Sequence, residues 1–239
     1  MDIIFPEYEE FHTKVVFYRI PKNASTSIYG HLGRANLIEN YIDKLQEKTD
    51  KNIYNKIHPS HIKPDEFKDL VLGEELKNFF SFSSVRNPWD RAVSLYFSIS
   101  KNKEIKEDIK RYYNINKDLS FSLFCSILFE RKDDPYFIAS HNQVLWTQGK
   151  YPPKRILRFE NINDEFSNMV KDYNLVTVSQ ALPHKNKTKH THYSDYYNTE
   201  TKKLIAEIFE EDIDTFNYSF NQKDADFPKP KEQQGFLRI

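Results

Sequence analysis

The sequence predicts an α/β fold of three layers, with a central, mostly parallel sheet flanked by helices. Three stretches predict it. Val15 to Ile20 is an apolar, β-branched and aromatic run that stops at Pro21, gives way to small hydroxyl residues, and is followed by a helix-compatible segment from Ile28 to about Leu37. Phe79 to Val85 is a second apolar strand, and it hands over to Arg86-Asn87-Pro88-Trp89-Asp90. Arg155 to Phe159 is a third strand, closed by Glu160, with helical spacing from Ile162 to Tyr173. In an open parallel sheet such turns share one edge, at the carboxyl ends of the strands, where ligands bind.

The first turn has the chemistry of an anion cradle. A strand, a tight loop and a helix aim backbone N–H groups and the positive end of a helix dipole at one point. Lys22 adds a charge there, and Ser25, Thr26 and Ser27 add hydroxyl donors. The geometry is P-loop-like, but the loop is not a Walker A motif, which requires glycines at fixed places; no glycine lies between Val15 and Tyr29. Taken alone, the stretch fits an ordinary strand-to-helix turn with serine caps equally well.

At the second turn Asn87 suits an N-cap and Pro88 the first helical position, with Asp90 placed to return a bond to the cap and the helix running to about Ser100. Arg86 sits where strand becomes helix. A guanidinium there can fork onto a phosphate or pair with Asp90. Ser94 lies about two turns into the helix, and Arg91 is within a turn of both Asn87 and Ser94.

Composition narrows the classes. A chain of 239 residues suits one α/β domain, read here as residues 1–220 with a polar extension over 221–239. Aromatic content is 15% against only 5 glycines, so many of these rings belong to the core. The formal net charge is +0, which removes bulk charge as an argument for nucleic acid or membrane; an anion site must come from a local basic cluster. Cys125 has no partner for an intramolecular disulfide and lies in the apolar run Phe121 to Phe129, so it reads as a buried small hydrophobe. No basic leader is visible at the N-terminus, and no stretch approaches the ~18 apolar residues of a membrane span. A soluble, cytoplasmic chain is the expectation.

The remaining segments supply further candidates. Residues 1–13 read as a lead-in and 39–56 as a second helix and loop. His58 and His61 flank a Pro-Ser turn; a histidine near an anion site can act as a general base, although a surface or capping role is the commoner one for a lone histidine. No Cys or carboxylate pattern completes a metal site around them. Residues 101–118 are charged and solvated, and 119–130 form a buried helix. Ser140-His141-Asn142-Gln143 is a polar patch in an apolar segment. Leu182 to His190 is a dense basic loop that fits a second phosphate or plain solvation, and Thr199 to Glu211 reads as a helix ending near Phe216-Asn217-Tyr218.

These motifs, taken together, resemble the sulfotransferases that use 3′-phosphoadenosine-5′-phosphosulfate (PAPS), and among them the carbohydrate enzymes of the heparan sulfate 2-O-sulfotransferase type and their bacterial relatives. Ile20-Pro21-Lys22-Asn23-Ala24-Ser25-Thr26-Ser27 is similar to the family's 5′-phosphosulfate loop, and Ser84 to Ser94 to its 3′-phosphate element. Leu157 to Ile162, Leu182 to Thr188 and Glu211 to Tyr218 look like its later blocks. Asn23 departs from the pattern, since many relatives carry Thr there.

The resemblance implies PAPS as co-substrate, adenosine 3′,5′-bisphosphate (PAP) as product, and a hydroxyl-bearing acceptor, a carbohydrate above all. It implies that Lys22, Asn23, Ala24, Ser25, Thr26 and Ser27 bind the 5′-phosphosulfate, with Lys22 also neutralising the leaving phosphate. Arg86 and Ser94 bind the 3′-phosphate, and Lys185, Lys187, Thr188 and Lys189 close over the nucleotide. His61 is the implied base and His58 the runner-up, while His141, Asn142 and Gln143 fall near the acceptor cleft. No metal is called for. A degenerate binding member without turnover and a P-loop-like phosphotransferase are the competing readings.

Overall fold

A computed structural model describes residues 2–4, 15–32, 61, 63–64, 80–116, 118–135, 137–173, 175, 182 and 191–221. Four strands form one sheet in chain order: β1 (Asp2–Ile4), β2 (Val15–Tyr18), β3 (Phe80–Val85) and β4 (Arg155–Arg158). Strands β2, β3 and β4 are parallel, in registers running from Val15↔Phe80 to Tyr18↔Ser83 and from Phe82↔Arg155 to Val85↔Arg158. The helices described are α1 (Ser25–Leu32), α2 (Pro88–Lys101), α3 (Lys103–Tyr112), α4 (Phe121–Glu130), α5 (Ile162–Asp172), α6 (Thr199–Ile208) and α7 (Glu210–Phe216).

Every residue of β2 and β3 is buried, as expected of a parallel sheet covered on both faces. The alternation Phe80-Ser81-Phe82-Ser83 in β3 decides how. Phe80 and Phe82 join Phe17, Leu157, Ile28, Phe166 and Met169 in one core beneath α1 and α5, with Phe17 and Phe82 stacked at 4.6 Å. Full burial of one such ring contributes about 1.5–3 kcal/mol. The serines stay satisfied: Ser83 Oγ donates to the Tyr18 carbonyl at 2.8 Å. A second core gathers Trp89, Val93, Phe124, Leu128 and Ile205 from α2, α4 and α6, with Phe209 just after α6. Cys125 is buried in it, and burial pushes its thiol up to about 12, which suits a packing role.

Several boundaries differ from the sequence expectation, each for a local reason. The lead-in contains β1, paired antiparallel to β2; three residues are too few to show a period. Helix α1 starts at Ser25 rather than Ile28, because the Ala24 carbonyl already accepts from Ser27 N–H (2.9 Å) and Ile28 N–H (3.0 Å). Asn87 does cap α2, accepting from Trp89 N–H at 3.0 Å. The return bond from Asp90 is not made: that carboxylate takes Arg86 Nε at 2.7 Å, and the Asn87 N–H donates instead to Glu160 at 2.6 Å. The helix expected over Thr199 to Glu211 breaks at buried Phe209, and α7 sets off separately. The charged stretch after α2 folds as α3, which buries no residue and carries exposed ion pairs such as Lys106–Asp118.

His58, the loop carrying Lys185, Lys187, Thr188 and Lys189, residues 39–56 and the extension past residue 221 lie outside the described residues. Among the described residues no helix is long and apolar enough to cross a membrane.

Candidate active site

The loop between β2 and α1 achieves without glycine what glycine normally allows. Lys22 (φ 70°) and Ala24 (φ 60°) both lie in the left-handed region, with Asn23 between them outside it. Alternating handedness of this kind makes successive N–H groups converge into an anion-binding nest. Each left-handed non-glycine residue costs about 1–2 kcal/mol, so the scaffold must hold the loop. It does so by its carbonyls. Arg91 Nε donates to Pro21 O (3.3 Å), Arg86 Nη1 to Lys22 O (2.9 Å), and Ser84 Oγ to Asn23 O (2.6 Å).

The Asn23 side chain points into the scaffold. Its Nδ2 donates to Ser84 O at 2.7 Å and to Gln143 Oε1 at 2.6 Å, with the residue fully buried. Gln143 is the hub of this region. Its Oε1 also accepts from Arg86 N–H (2.9 Å), and its Nε2 donates to Arg86 O (2.9 Å) and Asp212 Oδ2 (3.1 Å). Asp212 further accepts from Val144 N–H at 3.0 Å and lies 3.9 Å from the Arg91 guanidinium. Burial raises its carboxyl to about 6, with Arg91 and the Gln143 and Val144 bonds pulling the other way. Asn142 Nδ2 donates to Ile208 O at 3.1 Å and its Oδ1 accepts from Asp212 N–H at 3.3 Å. His141 is buried, with its Nε2 3.0 Å from Asp134 O and its carbonyl accepting from Arg91 Nη1 at 3.0 Å. The trio 141–143 therefore spends its side chains on the wall behind the loop.

The second turn meets the first at Arg86. Its guanidinium bonds Asp90 and the Lys22 carbonyl and lies 3.9 Å above the Phe159 ring. Its Nη2 has no hydrogen-bond partner among the described residues. Ser94 is buried one turn beyond Arg91 on α2. The Lys22 ammonium is pushed below its ordinary range by burial first, then by the positive charges of Arg86 and Lys101. Among the described residues no carboxylate pairs with it. A half-buried cation pressed by two others is a site that gains from an anion. Glu160, which holds the Asn87 N–H, is raised by burial to about 7.

His61 stands beside the loop. Its Nδ1 is 2.8 Å from the Arg19 carbonyl at the end of β2. A carbonyl only accepts, so Nδ1 is the nitrogen that carries a proton toward it. The fully buried Trp146 donates Nε1–H to the His61 carbonyl at 3.0 Å. Gln143 and Trp146 belong to one 3₁₀ turn, so a single turn bonds both the β2–α1 loop and the histidine.

Of the residues singled out in the sequence, Lys22, Asn23, Arg86, Gln143 and, through Trp146, His61 are brought into one bonded unit. Thr26 is exposed, while Ser25 and Ser27 are buried in the first turn of α1. The sequence reading missed the parts played by Ser84, Arg91, Asp212 and Glu160. Arg91 had a signal, its place within a turn of both Asn87 and Ser94; Asp212 had none beyond its place in a family-like block.

Comparison with known proteins places a sulfotransferase-family profile on residues 8–219, which takes in both turns, His61 and Asp212. Among curated proteins, the periplasmic chaperone PpiD of Buchnera aphidicola subsp. Schizaphis graminum is 26% identical over 170 residues, 69% of this chain and 26% of that protein. The chain thus spans about a quarter of that relative's length.

Proposed function

The chain belongs to the sulfotransferase family, and from that premise we propose that it takes PAPS as donor and sulfates a hydroxyl, on a carbohydrate acceptor. The observation that carries this reading is the glycine-free nest. Its carbonyls are held by Arg91, Arg86 and Ser84, and its lysine has cations and, among the described residues, no carboxylate around it.

PAPS, when bound, supplies a sulfuryl group already attached to a phosphate leaving group. The work left to the protein is positioning and charge stabilisation, as in phosphoryl transfer. Backbone N–H groups of residues 22–26 hold the 5′-phosphosulfate, the Ser27 N–H being spent on the Ala24 carbonyl, with Ser25, Thr26 and Ser27 adding hydroxyls. Lys22 neutralises the negative charge that builds on the departing phosphate oxygen. The open Nη2 of Arg86 and the hydroxyl of Ser94 hold the 3′-phosphate. Lys185, Lys187, Thr188 and Lys189 cover the nucleotide. His61 takes the acceptor's hydroxyl proton on Nε2 while Nδ1–H stays on the Arg19 carbonyl; His58 is the reserve assignment. His141, Asn142 and Gln143 we assign to bracing the loop rather than to touching the acceptor, because their side-chain bonds run inward.

Calorimetric titration of adenosine 3′,5′-bisphosphate, with AMP as control, tests the donor reading. Tight binding that needs the 3′-phosphate is expected, weakened by Arg86→Ala, with Lys22→Ala abolishing sulfate transfer from PAPS. Equal binding of AMP, or none of either, refutes it, and magnesium-dependent ATP turnover would move the chain to a phosphotransferase role.

A further inference from the structure

Arg91 is a fully buried arginine that touches nothing outside the protein's interior. Burial lowers its guanidinium to about 10, with Asp212 opposing the change and Arg86 adding to it, so it stays charged at neutral pH. Its Nη2 is buried and unpartnered among the described residues. Keeping such a group in a protein interior is costly unless its other bonds have a use.

Those bonds go to two backbone carbonyls. One is Pro21 O, in the peptide that leads into Lys22; the other is His141 O, in the wall behind the loop. In a trans peptide the C=O and the following N–H point in opposite directions, and no cis peptide occurs among the described residues. Holding Pro21 O against α2 therefore turns the Lys22 N–H away from α2, toward the mouth of the nest. Arg86 on Lys22 O does the same for the Asn23 N–H, and Ser84 on Asn23 O for the Ala24 N–H. A left-handed Lys22 has no glycine to make that peptide orientation easy, so an external grip has to supply it.

We propose that Arg91 is a positioning residue of the donor site, holding the Pro21 carbonyl so that the Lys22 N–H faces the 5′-phosphoryl group of the nucleotide. This rests on the PAPS reading above and deepens it. Arg91 makes no nucleotide contact itself. Its effect is confined to the 5′ end of the ligand, because the 3′ end belongs to Arg86 and Ser94.

The test compares two probes on each protein: adenosine 3′,5′-bisphosphate and adenosine 3′-monophosphate, which lacks the 5′-phosphate. In the wild type the ratio of their affinities reports what the nest contributes. Arg91→Met should reduce that ratio by about tenfold to a hundredfold, the equivalent of one charge-assisted hydrogen bond, while leaving the 3′-monophosphate affinity within about twofold. Arg91→Lys, which keeps the charge and one donor, should recover part of the ratio. Ser84→Ala, which frees the next carbonyl but one, should lower the ratio while Arg91 is intact, and it serves if Arg91→Met does not fold. A loss shared equally by both probes would make Arg91 a general stability residue and overturn the proposal; so would an unchanged ratio in Arg91→Met or, failing that variant, in Ser84→Ala. A wild-type protein that binds the two probes alike would instead defeat the donor reading, before any variant is made.

Discussion

Replacing Gln143 with leucine measures how much the loop depends on its brace. Leucine fills nearly the same volume, so the change removes hydrogen bonds rather than packing. Four are lost: to Asn23 Nδ2, to Arg86 N–H, to Arg86 O and to the Asp212 carboxylate. The first keeps a substitute, because Asn23 Nδ2 still reaches Ser84 O. The Arg86 N–H has no such second partner among the described residues, and leaving a buried donor bare costs about 1–3 kcal/mol. The carboxylate bond is charge-assisted, about 1.5–3 kcal/mol, and the other two contribute about 0.5–1.5 kcal/mol each. Allowing for relaxation, the loss is about 4 kcal/mol, a large share of the ~5–15 kcal/mol that holds a domain together. At about 2–4 °C per kcal/mol for a domain of this size, Tm should fall by roughly 8–16 °C. Differential scanning calorimetry at neutral pH reads it directly. Gln143→Glu makes the control: it still accepts from Asn23 and Arg86 N–H, but it sets an oxygen against two acceptors, Arg86 O and Asp212, so it should not rescue. A fall of less than about 2 °C for Gln143→Leu would refute the reasoning, because the hub would then carry no load.

His61→Asn keeps a donor for the Arg19 carbonyl but removes the basic nitrogen; turnover should drop about 10²–10⁴-fold with bisphosphate affinity unchanged, and full activity would remove His61 from the base role. Glu160 has a folded carboxyl raised to about 7 from an ordinary 4.5, so the folded state binds more protons than the unfolded one between those values. Its contribution is intact below the unfolded value and lost as pH rises through about 7, a swing of about 3 kcal/mol. Glu160→Gln keeps an acceptor for the Asn87 N–H and does not titrate, so its Tm relative to wild type should climb from pH 5 to pH 8; parallel pH profiles would count against the burial argument. Ala24→Gly removes about 1–2 kcal/mol of left-handed strain and adds about 0.5–1 kcal/mol of chain entropy. A Tm equal to or slightly above wild type is expected, and Ala24→Val should fall below both; a clear drop for the glycine variant would mean that φ is not what limits this position.

The amino-acid sequence by itself determined the parallel three-strand frame, both strand-to-helix turns and the identity of Lys22, Arg86, Ser94 and His61 as candidates. Those features are local. Val15 to Tyr18 and Phe80 to Val85 declare their strands by side-chain type, and Asn87-Pro88 declares a helix start by backbone chemistry. Only the tertiary structure decided which polar residues hold the β2–α1 loop. Asn23 and Gln143 looked like ligand contacts because both are polar and lie in family-like segments, yet 120 positions apart they bond each other and form the wall. Arg91 and Asp212 were given no role by the sequence, and they are buried within 3.9 Å of one another. Short-range patterns report the periodicity of burial, whereas the partner of a buried polar atom is fixed by chain segments that meet only on folding. A polar residue that binds a ligand and one that satisfies a carbonyl therefore carry the same letter in the sequence, and the fold alone separates them.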